Sequence, residues 1–521
     1  MTSKLNFFKK AVGPSALYPR ALLFLIFLLA LTSIIIWRFG SWMPDVFFGD
    51  DLSNLLHYKD GFFPRGLSEA VSVAFVEKYR PVFVWLMSTM FSAFDESISS
   101  YLAVNVLLHG LNATLVFAIA HRLSHGNWIV SLAVALTAAT SRFAFYQVTQ
   151  VTGFLEGIAL TLFLLMTYCM VRASDESKEA AWRWSWLAVF TAFLVINTHE
   201  RYIVVVAWLC LALIVIPSTR ALPRGRLFTL LGACVAVGLS NALFKVVILK
   251  MPFFVGTGGT HMDLDIPRTL VFVMQAVLSI FGFNEGPEYL VGARAISLDW
   301  FPVWLLAAVI SFAWLIAIVA GMRAALIEKV PTSAPWWQPF YWPLLLVTLG
   351  GLMLMPPALT IRMEQRWVLA PFIVTLLLFA WAAGVQRHRA IVPVWILAVA
   401  IGLGTVVSDT FIAAHFEQIF FVASGRFATV AKRDIVDKYP GQSTPVALIA
   451  SGDHCFWTLI DGEFFRLYGG MRRTVSCFGS VAEVKSAALP ENTRIYDVSY
   501  SPYSMTDVTS ELQTLTPRSE R

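Results

Sequence analysis

The chain has 521 residues, of which 57% are hydrophobic and only 14% are charged, and this balance excludes an ordinary soluble globular protein. The formal net charge of +6 does not indicate a nucleic-acid partner, because lysine and arginine stand in short clusters between apolar runs and form no continuous basic face. The sequence therefore predicts an all-α polytopic membrane protein.

Apolar runs long enough to cross a bilayer, at about 20 residues per crossing, recur along the chain. The first run is expected to stay as an anchor, since no small-residue cleavage site follows it. About eleven transmembrane helices are predicted, at 21–37, 101–120, 127–145, 152–171, 182–198, 202–217, 227–248, 302–322, 340–359, 367–385 and 391–415. Two further runs, 81–94 and 267–283, are short or interrupted, and we expect them to lie at the membrane interface.

Loop charge sets the predicted orientation. With a cytoplasmic N-terminus, the inner segments hold 15 basic residues, whereas the short outer loops hold only four. Those four are Arg142, Arg201, Arg362 and Arg366. Residues 1–423 are then the membrane domain, with long outer loops at 38–100 and 249–301, and 424–521 form a small extracytoplasmic domain.

The polar C-terminal stretch alternates short β-rich runs, at 444–451, 473–478 and 494–500, with a helical pattern at 456–468. This alternation predicts a small α/β domain with its own modest core. Cys455 and Cys477 lie in it, on the side where oxidation is permitted, so both a disulfide and two free thiols are open. The other three cysteines fall in apolar helices and are expected to be small buried hydrophobes.

Two adjacent carboxylates, Asp50 and Asp51 in "FFGDDLSNLL", stand just beyond the first anchor. A partly desolvated carboxylate at this surface suits a general base that accepts a proton from a hydroxyl. The pair could instead cap a helix that begins at Leu52, since Asp is favoured there and stabilises the helix dipole. The two roles are compatible, and both stay open.

Polar residues also occur inside predicted spans. Asn105, His109 and Asn112 recur at spacings of four and three, so they share one helix face, which either ties helices together or lines a cavity. Glu156 lies about one turn inside the outer boundary, where an unpaired charge costs roughly 2.5–3.5 kcal/mol or more. It therefore requires a partner or water.

Two short outer turns carry charged clusters. They hold His199, Glu200 and Arg201 in "NTHERY", and Arg362, Glu364 and Arg366 in "IRMEQRW". Guanidinium groups suit a phosphate, because each offers a planar fork of donors and keeps its charge, and Lys245 could join them. Snorkelling of these side chains to the interface is the alternative for each one.

A third acidic feature is the DxD spacing of Asp263 and Asp265, which could hold a divalent cation through oxygen ligands. Such a triplet is more often an exposed loop. A metal site is therefore the less favoured of the two interpretations.

The order of these motifs resembles the GT-C superfamily of integral-membrane glycosyltransferases, specifically the bacterial relatives of protein O-mannosyltransferases and of TMTC-type enzymes. In that family an acidic pair precedes a Tyr-Arg-Pro segment and an Asn-Leu-Leu-His helix. The matching residues are Asp50, Asp51, Tyr79, Arg80, Pro81, Asn105 and His109. "NTHERY" is similar to a later family motif with Lys-Glu, in which His199 stands for the lysine, and "RMEQRWVLAP" is similar to the late Arg-rich turn.

The resemblance implies a GT-C fold and a polyprenyl-phosphate sugar as donor, with membrane lipids around it and no obligatory metal, although a divalent cation is possible. It implies that Asp50, or less favourably Asp51, acts as base in an inverting transfer, and that the arginines stabilise the departing phosphate. We expect a bacterial inner membrane and an extracytoplasmic glycan or lipid acceptor. The alternatives are a lipid-linked sugar flippase, a protein O-glycosyltransferase and a non-catalytic assembly factor.

Overall fold

A computed structural model describes residues 17–72, 78–250, 265–284, 300–327, 338–360, 364–386, 394–415, 420–450, 454–490, 492–500 and 502–513. The first helices are α1 Leu17–Phe39, α2 Gly49–Lys59, α3 Gly66–Ser72, α4 Pro81–Phe94, α5 Ile98–Leu123, α6 Trp128–Thr140, α7 Phe145–Thr149, α8 Gly153–Asp175, α9 Lys178–Thr198, α10 Val205–Val215 and α11 Pro217–Arg220. They continue as α12 Arg224–Leu243, α13 Ile266–Ile280, α14 Phe301–Ile327, α15 Tyr341–Leu359, α16 Gln365–Val385, α17 Val394–His415 and α18 Phe420–Ala431.

Eight helices in the described ranges are long and apolar enough to span a membrane, and the number becomes nine if the bent pair 128–140 and 142–149 is one span. The polytopic helical character of the prediction is therefore confirmed, but eleven spans are not. The run at 182–198 forms α9, which begins with charged residues and tryptophans, and the run at 202–217 forms α10, which has only 11 residues. The orientation of the termini stays a prediction.

The two short apolar runs form separate helices, as expected. Residues 81–94 become α4, which begins at Pro81, a residue suited to the first turn because it lacks an N–H group to satisfy. The second run becomes α13, on which Ile266, Leu270 and Met274 are more than half exposed. Their interfacial position stays a prediction.

The largest hydrophobic core among the described residues lies between α1, α5, α6, α8, α9, α10, α15 and α16. Helix α8 packs along both α5 and α9, and α16 packs along α15. Because α8 is central, residues at its N-terminus meet several elements that are far apart in the sequence. The candidate site described below is built around that N-terminus.

The C-terminal part is an α/β unit, as predicted. Its strands are β1 Val446–Ile449, β2 Val475–Phe478, β3 Arg494–Tyr500 and β4 Tyr503–Asp507, in the order β2-β1-β3-β4. Strand β1 pairs in parallel with β2 and β3, and β3 pairs antiparallel with β4, which the sequence analysis did not predict. The helices of this unit are α19 His454–Leu459, α20 Glu463–Gly469, α21 Val481–Ser486 and α22 Thr509–Gln513.

The helix predicted at 456–468 is broken into α19 and α20. The break falls at Ile460, Asp461 and Gly462, which all have positive φ angles of 45°, 47° and 85°. The glycine suits this turn, since it adopts positive φ without a steric penalty. Cys455 of α19 and Cys477 of β2 form a disulfide. The other three cysteines are free.

The C-terminal unit packs through two hydrophobic cores, one on each face of its sheet. One face of its sheet does have a small core of its own, built from Ala447, Ile449, Val484, Ile495 and Leu512. The other face shares one continuous core with the first outer segment, in which Phe47 and Phe48 join Phe464 and Phe465. The predicted modest core of its own is therefore present on one face, the other face packs on the first outer segment, and the predicted boundary after residue 423 lies inside α18.

Candidate functional site

Asp51 is a structural anchor. Its carboxylate is 2% exposed and accepts three hydrogen bonds, from the Val151 and Thr152 N–H groups at 2.7 Å each and from the Thr152 hydroxyl at 2.6 Å. These donors stand just before α8, so Asp51 satisfies the main-chain N–H groups of the N-cap residue Thr152 and of the residue before it. The expected cap of its own helix is not formed, because α2 begins at Gly49 with Phe48 as N-cap and no capping side chain.

Burial affects the ionisation of Asp51. Loss of solvent raises the pKa of this carboxyl to about 6, although the hydrogen bonds from Thr152 and Val151 act in the opposite direction. All three hydrogen bonds would have to break before this group could reach a substrate. Asp51 is therefore poorly placed to be the catalytic base.

Asp50 differs from its neighbour in exposure and in its hydrogen-bond partners. Its side chain is exposed, and its Oδ1 accepts one hydrogen bond of 3.3 Å from the indole Nε1–H of Trp457. Asp50 also interacts electrostatically with Lys78 and Arg366. Of the two adjacent carboxylates, Asp50 is the one that solvent and a substrate can reach.

A chain of direct contacts connects the acidic pair with the late arginine Arg366. Thr152, which binds Asp51, also shares a hydrogen bond of 3.0 Å with the Tyr146 hydroxyl. The Arg366 guanidinium lies over the Tyr146 ring, 3.9 Å from its centroid, which is a cation–π contact. The acidic pair and Arg366 therefore belong to one site, although more than 300 residues separate them in the sequence.

Glu156 organises the cations of the site. This carboxylate is 2% exposed and pairs with Arg201 at 2.6 Å, with His199 at 3.4 Å and, more distantly, with Arg366 at 3.9 Å. Burial and the nearby Arg80 lower the pKa of His199 to about 4, so the imidazole is neutral near pH 7. The partner that Glu156 requires inside the membrane region is therefore Arg201.

Arg201 has hydrogen-bond donors that its ion pair with Glu156 does not use, whereas Arg366 has a second carboxylate partner. Arg366 also pairs with Glu364 at 2.5 Å. The Nε and Nη1 atoms of Arg201 are buried and make no hydrogen bond within the described part of the chain. Since buried donors are nearly always satisfied, such atoms indicate a place for a bound acceptor.

A second ion pair adjoins this group. Arg80 donates two hydrogen bonds to Glu200, of 2.5 Å and 2.6 Å, in the bidentate geometry that arginine favours. Lys245, which is 3% exposed, interacts electrostatically with both residues of the pair. Tyr79 stacks on Phe244 with centroids 4.7 Å apart, so it fixes the chain beside Arg80.

Lys78 is a member of the site that the sequence analysis missed. It is partly buried and interacts electrostatically with Arg80, Glu200, Arg366 and Asp50. Burial, with Arg80 as the second cause, lowers its pKa to about 8. The feature of the sequence that could have indicated Lys78 is its position directly before Tyr79 and Arg80.

Asn105 and His109 take the helix-tying role. The Asn105 amide donates to the Gln150 carbonyl at 2.6 Å, and the His109 ring contacts the Ala139 carbonyl at 3.1 Å. Both side chains are at most 2% exposed. They hold α5 against its neighbours and do not face an open cavity.

Of the three remaining predicted residues, only Asp265 lies in the described part of the chain, and it has a capping role. Asp265 caps α13, because its Oδ1 accepts from the Arg268 N–H at 3.1 Å. Asp263 and Arg362 lie outside the described residues. Within the described ranges, no group of three His, Cys, Asp or Glu side chains is arranged to hold a metal ion.

Arg142, expected in an outer loop, is instead 1% exposed. Its main-chain N–H and its Nη1 both donate to Asp409 at 2.9 Å, and its Nη2 donates to the Ser279 carbonyl at 3.0 Å. This ion pair connects the bend after α6 with α13 and α17. Its contacts are structural.

Comparison with known proteins gives the following findings. No protein-family model matches the sequence, and no curated protein does. Among solved structures, the chain is similar to the crystal structure of ArnT from Cupriavidus metallidurans in the apo state, with 16% sequence identity over 93% of this chain and 94% of that chain and a TM-score of 0.32.

Proposed function

We propose that the protein is an integral-membrane glycosyltransferase of the GT-C type. It transfers one sugar from a polyprenyl-phosphate carrier to an acceptor hydroxyl on the non-cytoplasmic side, and Asp50 is the general base. The observation that supports this most strongly is that the exposed carboxylate of Asp50 interacts electrostatically with the cations Lys78 and Arg366, while Glu156 joins Arg366 to a third cation, Arg201. Such a site suits a reaction that needs a base and an anionic leaving group together.

The proposed step is a direct displacement. The Asp50 carboxylate takes the proton of the acceptor hydroxyl, and the hydroxyl oxygen forms a bond to the anomeric carbon of the donor sugar. The bond between that carbon and the phosphate oxygen breaks, and its electron pair leaves with the polyprenyl phosphate. Because attack comes from the face opposite the phosphate, the anomeric configuration inverts.

The cations take the leaving phosphate in this proposal. Charge on the phosphate grows as the bond breaks, and preorganised cations in a site of low dielectric stabilise that charge without rearranging. The two unsatisfied donor atoms of Arg201 support a phosphate at this position. The carboxylates of Glu156 and Glu364 hold Arg201 and Arg366 in place.

The carrier follows from the same surroundings. A lipid tail suits a site formed by helices long and apolar enough to span a membrane, and the planar donor forks of Arg201 and Arg366 suit a phosphate. The proposal needs no metal, and a divalent cation would be an addition to it. The expected setting is a bacterial inner membrane, with a glycan or lipid of the envelope as acceptor.

The test uses purified protein in lipid nanodiscs. The donors are a panel of radiolabelled decaprenyl-phosphate sugars, and the acceptor is an envelope extract from a strain that lacks the gene. We expect wild-type protein to release decaprenyl phosphate from one donor and to label the extract. Asp50→Asn should lower kcat by at least about 100-fold, because a general base contributes 10²–10⁴-fold.

The control variant is Asp45→Asn, which removes a nearby exposed carboxylate and should leave kcat unchanged. Full activity of Asp50→Asn would exclude Asp50 as the base. If the donor crosses the proteoliposome membrane uncleaved and no decaprenyl phosphate is released, the protein is a flippase and not a glycosyltransferase. Labelling of protein in place of glycan or lipid would indicate a protein O-glycosyltransferase.

A further inference from the structure

The C-terminal α/β unit contacts α2, the helix that carries Asp50, at both of its ends. At the beginning, the Phe47 N–H donates to the Tyr468 hydroxyl at 2.6 Å, and Trp457 donates to Asp50 at 3.3 Å. At the other end, Arg466 donates two hydrogen bonds to Asp60, of 3.1 Å and 2.9 Å. Contacts at both ends determine the position and direction of a helix of only 11 residues.

Trp457 is the contact that reaches the proposed base itself. Its indole ring covers Gly49, where a Cβ would lie 2.4 Å from the ring carbons. Gly49 has a φ of +53°, a conformation that glycine adopts without penalty. The "Gly-Asp" order in the sequence is therefore what allows the ring to lie over α2 while its N–H points at the next carboxylate.

The indole ring is itself held on several sides. The ring centroids of Phe420 and Phe421 lie 4.8 Å and 5.5 Å from that of the indole, and the Phe48 ring packs against it in an edge-on geometry with centroids 5.8 Å apart. Cys455, two residues earlier in α19, is joined by the disulfide to Cys477 in β2. Trp457 therefore presents its N–H from a fixed place.

The same aromatic group continues to the cationic side of the site. Phe421 lies between Trp457 and Tyr146, whose ring centroid is 4.9 Å from its own, and the Arg366 guanidinium is 5.9 Å from the Phe421 ring. One aromatic layer thus contacts both the residue that binds Asp50 and the cation proposed to bind phosphate. A displaced Trp457 would disturb the first contact without removing the second.

We propose that Trp457 is a positioning residue for Asp50, and that the C-terminal unit completes the active site through it. This inference rests on the proposed function. The indole N–H occupies one carboxylate oxygen and so restricts Asp50 to orientations in which the other oxygen faces the acceptor. Asp50 remains the catalytic residue, and Trp457 acts through it.

The experiment uses the full-length protein in the assay described above, with the donor that the wild type cleaves. Trp457→Phe removes the N–H donor and keeps an aromatic ring. We expect its kcat to fall about tenfold, because the base is less well oriented, while the KM for the donor stays within about twofold and the thermal midpoint stays unchanged. Phe456→Ala is the matched control, since this neighbour on α19 is 53% exposed, and we expect wild-type kinetics.

The outcomes separate the two proposals. If wild-type protein transfers no sugar, the proposed function fails and the positioning role fails with it. If wild-type protein is active and Asp50→Asn is not, an unchanged kcat in Trp457→Phe overturns the positioning role alone. A fall in kcat that comes with an equal loss in Phe456→Ala, or with a lower thermal midpoint in Trp457→Phe, also overturns it, because α19 would then be acting only as structural support.

Discussion

The contrast between Asp50 and Asp51 leads to a prediction about stability. Asp51→Ala leaves three buried donors, on Val151 and Thr152, without an acceptor. An unsatisfied buried donor costs about 1–3 kcal/mol, so about 2 kcal/mol each gives about 6 kcal/mol. The substitution also removes the cost of burying the charge.

The size of that second effect follows from the pKa of Asp51. Burial raises this pKa from its ordinary value of 3.8 to about 6, and about two pKa units correspond to about 3 kcal/mol against the ionised form. Because this shift already includes the opposing effect of the hydrogen bonds from Thr152 and Val151, the burial cost that Asp51→Ala removes is at least this large, and we expect a net loss of about 3 kcal/mol or less near pH 7. In contrast, Asp50→Ala removes one 3.3 Å hydrogen bond at an exposed group and should change stability by less than about 1 kcal/mol.

The assay is thermal unfolding of both variants in detergent, followed by fluorescence. Asp51→Ala should unfold several degrees below wild type, whereas Asp50→Ala should unfold close to the wild-type temperature. The pH adds a further test. Because the folded-state pKa of Asp51 is raised, the stability gained when its carboxyl is protonated is fully present below pH 3.8 and is lost as the pH rises through about 6.

Comparison with Asp51→Asn isolates this contribution. The wild-type midpoint should fall relative to that of Asp51→Asn as the pH rises from 4 to 7. A wild-type midpoint in Asp51→Ala, together with a large destabilisation in Asp50→Ala, would show that the two roles are reversed.

Two further substitutions test the packing around the site. Arg142→Met should destabilise the protein by about 3–5 kcal/mol, because it leaves the buried Asp409 carboxylate without its ion-pair partner. In a thermal unfolding assay, the double variant Arg142→Met with Asp409→Leu should recover most of this loss, and no recovery would contradict the ion-pair explanation. Gly49→Ala places a Cβ 2.4 Å from the Trp457 ring at a φ of +53°, so we expect a lower rate of sugar transfer and a lower thermal midpoint. Wild-type values in both measurements would refute the close packing of this tryptophan on α2.

The sequence predicted those parts of the structure that depend on local patterns. Hydropathy is a local property, so the long apolar helices and the short helices α4 and α13 were found. The alternation of strands and helices at the C-terminus was also local, and β4 was missed because it follows β3 after only two residues and shows no separate apolar pattern. The number of spans was less well predicted, since α9 and α10 are apolar enough to suggest spans without reaching the required length or hydropathy.

The roles of individual polar residues depended on contacts that no local pattern records. Asp51 binds residues 100 positions away, and Trp457 binds a residue 407 positions away. The sequence placed Arg201 and Glu200 in one short charged turn, but it did not indicate that Arg201 pairs with Glu156 and Glu200 with Arg80. The pairing decides which donors are left for a substrate, and only the fold supplies it.

The N-terminus of α8 explains why two carboxylates stand side by side. Successive residues in a helix point about 100° apart, so one of the pair can face inward while the other faces solvent. Asp51 faces inward and is fixed to the two residues before α8, and Glu156, in the first turn of the same helix, holds Arg201. The proposed base and the proposed phosphate-binding cation are thus both positioned by contacts with one helix start, which helps to fix the distance between them. Reaction at a sugar held between these two groups requires such a fixed distance, and a single Asp at this position could not supply both the anchor and the base.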